Sequence, residues 1–272
     1  MEGGIKLDFS TVIGLVFGFA CILLAHVYEE GGNFGSLMGM VNITGFLIVV
    51  GGTIGTAFTS FPMKDVLGLP KLIGLAFKKN ELDIVSLIPQ LVSLADKARR
   101  EGLLALEADV AAATDEFFKK GVQMVADGID LNTVKDMLET ELSFIAARHA
   151  GAYGILESMG GYSPTMGIIG TVMGLIGVLS NMGSDVTKLG ASIAVAFIAT
   201  LYGVGFANLI WLPLGTKLKR KSEEEILMRE VIMAGVLAIQ SGDNPQIVEE
   251  KLKGYLPPAL RRELNKNREA LS

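Results

Sequence analysis

Apolar residues along this chain gather in four long blocks, and the stretches between them are charged with apolar positions at helical spacing. The blocks cover residues 9–27 (FSTVIGLVFGFACILLAHV), 35–58 (GSLMGMVNITGFLIVVGGTIGTAF), 165–182 (TMGIIGTVMGLIGVLSNM) and 190–212 (GASIAVAFIATLYGVGFANLIWL). A helix that crosses a bilayer needs about 20 mainly apolar residues. None of the four blocks holds Asp, Glu, Lys or Arg, so each is predicted to be a membrane span. The third is short and is expected to take a turn from the helix before it.

Between spans two and three, Ile84, Leu87, Ile88, Leu91, Val92 and Leu94 recur at helical spacing, which predicts a helix over 83–100. The pattern continues over 103–125 with breaks expected at Gly102 and Gly121. Asp127-Gly128 reads as a turn, and an amphipathic helix is expected from Leu131 to about Ser158. After span four the pattern predicts a charged helix over 216–240, a turn over 242–245, and short helices over 246–255 and 258–270. Strand-like alternation is scarce. The fold class is therefore all-α, a polytopic membrane protein with four transmembrane helices and a large helical cytoplasmic domain. The expected divisions are 1–61 (spans one and two), 62–163 (cytoplasmic domain), 164–213 (spans three and four) and 214–272 (cytoplasmic tail).

Composition agrees with the blocks. Half of the 272 residues are hydrophobic and 19% are charged, against about 25% charged in soluble domains. Lys and Arg set the orientation, because they concentrate on the cytoplasmic side. The tight loops over 29–34 and 183–189 hold only Lys188, whereas Lys64, Lys71, Arg148, Lys217, Lys219, Arg220 and Lys221 flank the other span ends. The large insert, the tail and both termini are thus expected in the cytoplasm, and span one is read as an anchor. Tyr28, Phe61 and Trp211 stand at span ends, as interfacial aromatics do.

Candidate chemistry lies in the membrane half. Gly167, Gly170, Thr171, Gly174 and Gly177 form one stripe of span three. Ser192, Ala196, Ala199, Thr200, Gly203 and Ala207 form another on span four. Small residues allow close helix approach. Two readings follow: packing of spans three and four on each other, or a tunnel wall that beds a partner's helix. Ion pathways ordinarily use an intramembrane ionisable residue, and these spans have none. A conducting assembly would need a carboxylate from a partner, with Thr171 and Thr200 as neutral oxygen ligands beside it. Pro164 is expected in the first turn of span three, where proline is tolerated, and Pro213 at the exit of span four. Each reads as a helix-end marker or a hinge.

Other chemistry finds little support. One cysteine, Cys21, allows no disulfide framework, and two histidines and one cysteine make no zinc or haem pattern. His26 and His149 read as solvated or capping residues. Gly51-Gly52 and Gly160-Gly161 are not phosphate loops, since no strand precedes them and no Lys-Ser/Thr follows. A net charge of −5 does not suit nucleic acid. No catalytic constellation can be assembled, and no enzyme activity or bound cofactor is expected.

Several stretches together resemble the flagellar-motor stator subunit family, MotA and PomA. They are residues 97–107 (KARREGLLALE), 126–128 (ADG), 147–149 (ARH), 163–174 (SPTMGIIGTVMG), 199–203 (ATLYG) and 235–245 (GVLAIQSGDNP). The resemblance implies a ring of these subunits, a pentamer, around a dimer of a MotB/PomB-type protein. That partner has one membrane helix with the ion-binding aspartate. Passage of H+ or Na+ would turn the ring against the rotor protein FliG. By the same resemblance, Arg99 and Glu107 match the charged pair proposed to contact FliG. They lie eight residues apart, on one face of a straight helix, with Gly102 between them. Gly167, Gly170, Gly174, Ser192, Ala196 and Gly203 would bed the partner helix, and Pro164 and Pro213 match the family's prolines at the cytoplasmic mouth. Thr171 and Thr200 match the threonines of sodium-driven members. A hydroxyl serves either ion, so the choice stays open. The implied location is the bacterial inner membrane. The rival readings are an ExbB/TolQ-type energiser, which usually has three spans, and a non-conducting membrane scaffold.

Overall fold

The computed structural model describes residues 7–79, 84–112, 115–183 and 186–269. Among these the chain is helical and no strand forms; Leu7 and Lys78 make one isolated antiparallel bridge. Four helices are long and apolar enough to cross a membrane: Phe9–Glu29, Ile43–Ser60, Leu131–Asn181 and Thr187–Gln240. The helix start expected at Asp83 and the last residue of the final helix, Ala270, lie outside the described residues.

The chain forms two compact units. One contains residues 1–80 and 150–220, the other residues 81–149 and 221–272. These limits lie beyond the span ends expected at 61, 163 and 213, because the turns next to each span pack with the membrane side. In the first unit, α1 (Phe9–Glu29) is capped by Asp8 and ends at Gly31 and Gly32, both at positive φ. A 3-10 turn (Phe34–Met40) leads to α2 (Ile43–Phe46), a wider π-type turn (Leu47–Gly51) and α3 (Gly52–Ser60). Two short helices, α4 (Met63–Leu67) and α5 (Leu69–Phe77), follow. Val66, Leu69 and Ala76 from these close a core with Ala57, Ile155, Leu156, Met159 and Leu214. Elsewhere on the unit large apolar side chains stand exposed, among them Phe9, Phe17, Ile168 and Phe197, which suits lipid contact.

The second unit has an ordinary water-facing pattern, with Ile88, Leu91, Leu106, Phe117, Leu138, Ile232 and Leu252 at its centre. It is built from α6 (Ile84–Glu101), a 3-10 turn (Leu103–Leu106), α7 (Glu107–Ala112) and α8 (Glu116–Ala126). To these it adds parts of α9 (Leu131–Asn181) and α11 (Leu212–Gln240), then α12 (Pro245–Lys253) and α13 (Pro258–Glu269). The turns expected at Asp127-Gly128 and before Pro245 are present, with Gly128 and Gly242 at positive φ.

Four expectations are corrected. The second span starts at Ile43 and not at residue 35, because Asn42 caps it: its Oδ1 accepts from the Gly45 N–H at 2.8 Å. Asparagine side chains compete with the helix in this way. The helix from Leu131 does not stop near Ser158 but runs 51 residues to Asn181, so Pro164 sits inside it and not in a first turn. Its missing N–H leaves the Gly160 carbonyl without its i+4 donor, and the Leu212 side chain packs where a Gly160 Cβ would stand. Pro213 likewise does not end a helix. A π-type turn at Ala207–Trp211 precedes it, and α11 continues through it. Finally, Gly121 does not break a helix: it lies within α8, where the Val236 side chain packs so close that a Cβ would stand 3.1 Å from it.

Candidate functional site

In the first unit α9 lies against α10 (Val186–Phe206) along the two small-residue stripes. A Cβ on Gly167 would stand 3.0 Å from the Ala199 carbonyl oxygen and 3.2 Å from the Gly203 Cα. On Gly174 it would stand 2.7 Å from the Ala196 nitrogen and the Ser192 carbonyl oxygen, and on Gly203 2.8 Å from the Ser163 carbonyl oxygen. Gly170 faces the Ala199 methyl with Ile48 of the second span behind it. The geometry supports the packing reading of the stripe: Gly167, Gly170, Gly174, Ala196 and Gly203 are buried against one another within the chain, and Ser192 stands against Gly174 and Gly177. Ser163, fully buried, ties the seam by donating to the Gly203 carbonyl at 2.9 Å.

The seam brings Thr171 and Thr200 together. Their hydroxyls are hydrogen-bonded to each other. The Thr171 hydroxyl also lies 3.1 Å from the carbonyls of Gly167 and Ala196, and the Thr200 hydroxyl 3.2 Å from that of Ala196. Two hydroxyl protons serve these contacts, and lone pairs on both threonines remain available. The two hydroxyls and the Ala196 carbonyl that both approach thus converge, with the Gly167 carbonyl beside Thr171, in an uncharged part of the membrane half. They offer part of a coordination shell for a hard cation or a stop in a proton relay, and no compensating charge. Among the described residues no group of three His, Cys, Asp or Glu stands together.

Two features here escaped the sequence reading. Tyr202 bridges the gap before α2: its hydroxyl donates to the Met40 carbonyl at 2.6 Å and accepts from the Asn42 N–H at 3.1 Å. Its ring stacks on Phe206 at 5.5 Å and meets Phe46 edge-on. The one signal was a tyrosine inside an apolar span, since a buried phenol needs a partner. The second is an ion pair at the start of α1, where the Lys217 ammonium lies 2.5 Å from Asp8. That ammonium, and then the Ser10 hydroxyl, hold the Asp8 carboxyl well below the usual carboxylate range.

In the second unit Arg99 and Glu107 do not share a straight helix. Gly102 takes φ +87°, α6 stops at Glu101, and α7 begins at Glu107 after the 3-10 turn. The corner is closed by the Lys97 ammonium, 2.6 Å from Asp109, and that carboxylate raises the lysine pKa. Arg100 pairs with Asp96. Arg99 and Glu107 are exposed, and neither has a salt-bridge partner among the described residues. His149 is not simply solvated: its Nδ1 lies 3.0 Å from the hydroxyl of buried Ser222.

A family model described as the MotA/TolQ/ExbB proton channel family matches residues 109–231. The chain is 38% identical to the chemotaxis protein PomA of Vibrio alginolyticus over 250 residues, 92% of this chain and 96% of that protein. It is 37% identical to motility protein A of Bacillus subtilis over 252 residues, 92% of each. Among solved structures, the flagellar MotAB stator complex from Bacillus subtilis matches with a TM-score of 0.85 at 37% identity, covering 94% of this chain and 99% of that one. The MotAB structure from C. jejuni matches at 0.84 and 30% identity, covering 92% and 96%. With the four spans, the small-residue seam and this similarity along nearly its whole length, the chain belongs to the MotA/PomA family of flagellar motor stator subunits.

Proposed function

We propose that this chain is the ring-forming subunit of an ion-driven stator that turns ion flow into torque on a rotor. The observation that carries the reading is the cluster of neutral oxygens at Thr171, Thr200 and the Ala196 carbonyl, in spans that hold no carboxylate. Such a site is half of an ion pathway. The other half is the aspartate on the single membrane helix of a MotB/PomB-type partner, around which copies of this chain close a ring of five. The transported ion, H+ or Na+, is cargo and not a resident cofactor.

Torque leaves through the second unit. Arg99 and Glu107 are exposed charges with no salt-bridge partner beside neighbours that neutralise each other, which suits contact with opposite charges on FliG. Their energetic value is modest, as for exposed pairs generally, and their use is orientation and register. Pro164 and Pro213, each inside a continuous helix, supply bending points at the cytoplasmic mouth. The subunit sits in the bacterial inner membrane with lipid on its exposed apolar faces, and its termini, insert and tail are cytoplasmic.

Charge reversal tests the reading. Arg99→Glu is expected to impair swimming, and an opposite reversal on the rotor to restore part of it. Loss of swimming with no rotor suppressor, or no effect at all, would discard the contact.

A further inference from the structure

We propose that Leu104 is the apolar centre of the rotor contact, entering a socket on the partner while Arg99 and Glu107 guard its rim. This rests on the reading of Arg99 and Glu107 given above. In a 3-10 turn, side chains three apart eclipse each other, so Leu103 and Leu106 share a face. That face is turned inward: Leu106 is fully buried and Leu103 packs on the same core. Leu104, a third of a turn away, is thereby driven outward and is 71% exposed.

A single exposed leucine is ordinary. This one is held at the tip of a built corner. Gly102 at φ +87° makes the bend, since such a conformation favours glycine. The Lys97–Asp109 pair at 2.6 Å clamps its two arms. Just inside that clamp stand Arg99 and Glu107, exposed and of opposite sign, with Leu104 between them in sequence. Lys97 and Arg100 are each engaged with an aspartate, so among the described charges of the corner Arg99 and Glu107, with Glu101 beside Gly102, are left for a partner.

The arrangement matches the general plan of a protein interface, an apolar anchor surrounded by charged residues. Charges of both signs on the rim fit a protein surface with a carboxylate opposite Arg99 and a base opposite Glu107. A lipid surface would call for one sign of charge. Exposed ion pairs are screened by salt, whereas burial of an apolar side chain is not, so the two contributions can be separated.

The test measures binding of the purified rotor protein to the complete stator complex in detergent, at low and high salt. Leu104→Ala is expected to weaken binding about 10-fold at both salt levels, Leu104→Asn to do the same with little change of shape, and Leu104→Met to bind nearly as the parent. Arg99→Ala and Glu107→Ala are expected to weaken binding at low salt and to converge on the parent at high salt. Thermal melting should be unchanged in all of them. If both Leu104 variants bind like the parent while the charge variants bind weakly, the socket is overturned and the charged contact stands. If neither set alters binding, the contact reading itself fails. If the Leu104 variants change ring mass while rotor binding holds, the occupant is a second copy of this chain and the proposal is wrong.

Discussion

The Lys97 ammonium reaches across the break at Gly102 to the Asp109 carboxylate, 2.6 Å away, and so joins the end of α6 to α7. The carboxylate raises the lysine pKa above 10.5. A raised cationic pKa contributes fully below the unfolded value and is lost as pH climbs through the folded one, so the clamp is complete at neutral pH. Asp109→Asn is expected to slow swimming more than Asp96→Asn, which frees only Arg100 on its own helix. Swimming speeds of the two variants at equal expression check this, and equal speeds would remove the clamp's role.

The seam between α9 and α10 makes a sharper demand. Gly174→Ala would press a methyl against the Ala196 nitrogen and Ser192 carbonyl at 2.7 Å, backbone atoms that cannot turn aside. Overpacking of this kind costs about 1–3 kcal/mol. Gly161→Ala, with nothing within 4 Å, is the control and should be neutral or slightly stabilising. Melting of the purified complex should drop for the first and hold for the second.

Thr171→Val removes one hydroxyl with little change of shape and leaves Thr200 bonded to the Ala196 carbonyl. With sodium as the ion, the sodium concentration for half-maximal swimming should rise at fixed proton-motive force. Swimming that ignores sodium and follows the proton gradient assigns the pathway to protons.

Asp8 offers a pH signature. Its carboxyl is depressed by the Lys217 ammonium first and the Ser10 hydroxyl second. The contribution is therefore present above the ordinary value of 3.8 and is lost as pH falls through the lower folded value. Asp8→Asn should melt below the parent at neutral pH, and the gap should narrow under strong acid. A constant gap from pH 7 to pH 2 would show that the pair does not act through ionisation.

Tyr202→Phe keeps the stack on Phe206 but strips partners from the Met40 carbonyl and the Asn42 N–H. A fully buried backbone group left unsatisfied costs about 1–3 kcal/mol, and these half-buried ones cost less because water reaches them in part. Hydrogen exchange at Asn42 should accelerate while the rest of the second span keeps its protection.

Much of the architecture was legible because its causes are local. Unbroken apolar blocks of sufficient length specify spans, and Lys64, Lys71 and Lys217 beside their ends favour one orientation. Gly128 and Gly242 mark turns because a positive φ suits glycine. Pro164 and Pro213 misled for the converse reason. Proline normally closes a helix, and here the 51-residue helix runs on through Pro164 while a π-type turn precedes Pro213, which no window around the proline reveals.

The candidate sites divided in the same way. Thr171 and Thr200 could be placed on matching stripes from spacing alone, and Arg99 and Glu107 could be marked by their motif. Whether the stripes faced each other or a partner depended on how α9 meets α10, a long-range fact. The partners of Tyr202 lie 160 and 162 residues away, and Asp8 lies 209 residues before Lys217, beyond any local pattern.

The sequence by itself determined the helical class, the four spans and the want of a membrane carboxylate, since hydropathy and side-chain chemistry are properties of each residue. Only the tertiary structure decided that the small residues are consumed between α9 and α10, that the helices pass through their prolines, and that the stretch around Gly102 folds into a clamped corner with Leu104 outside. Those outcomes depend on which atoms meet across the fold, and close packing settles that between segments far apart in the chain.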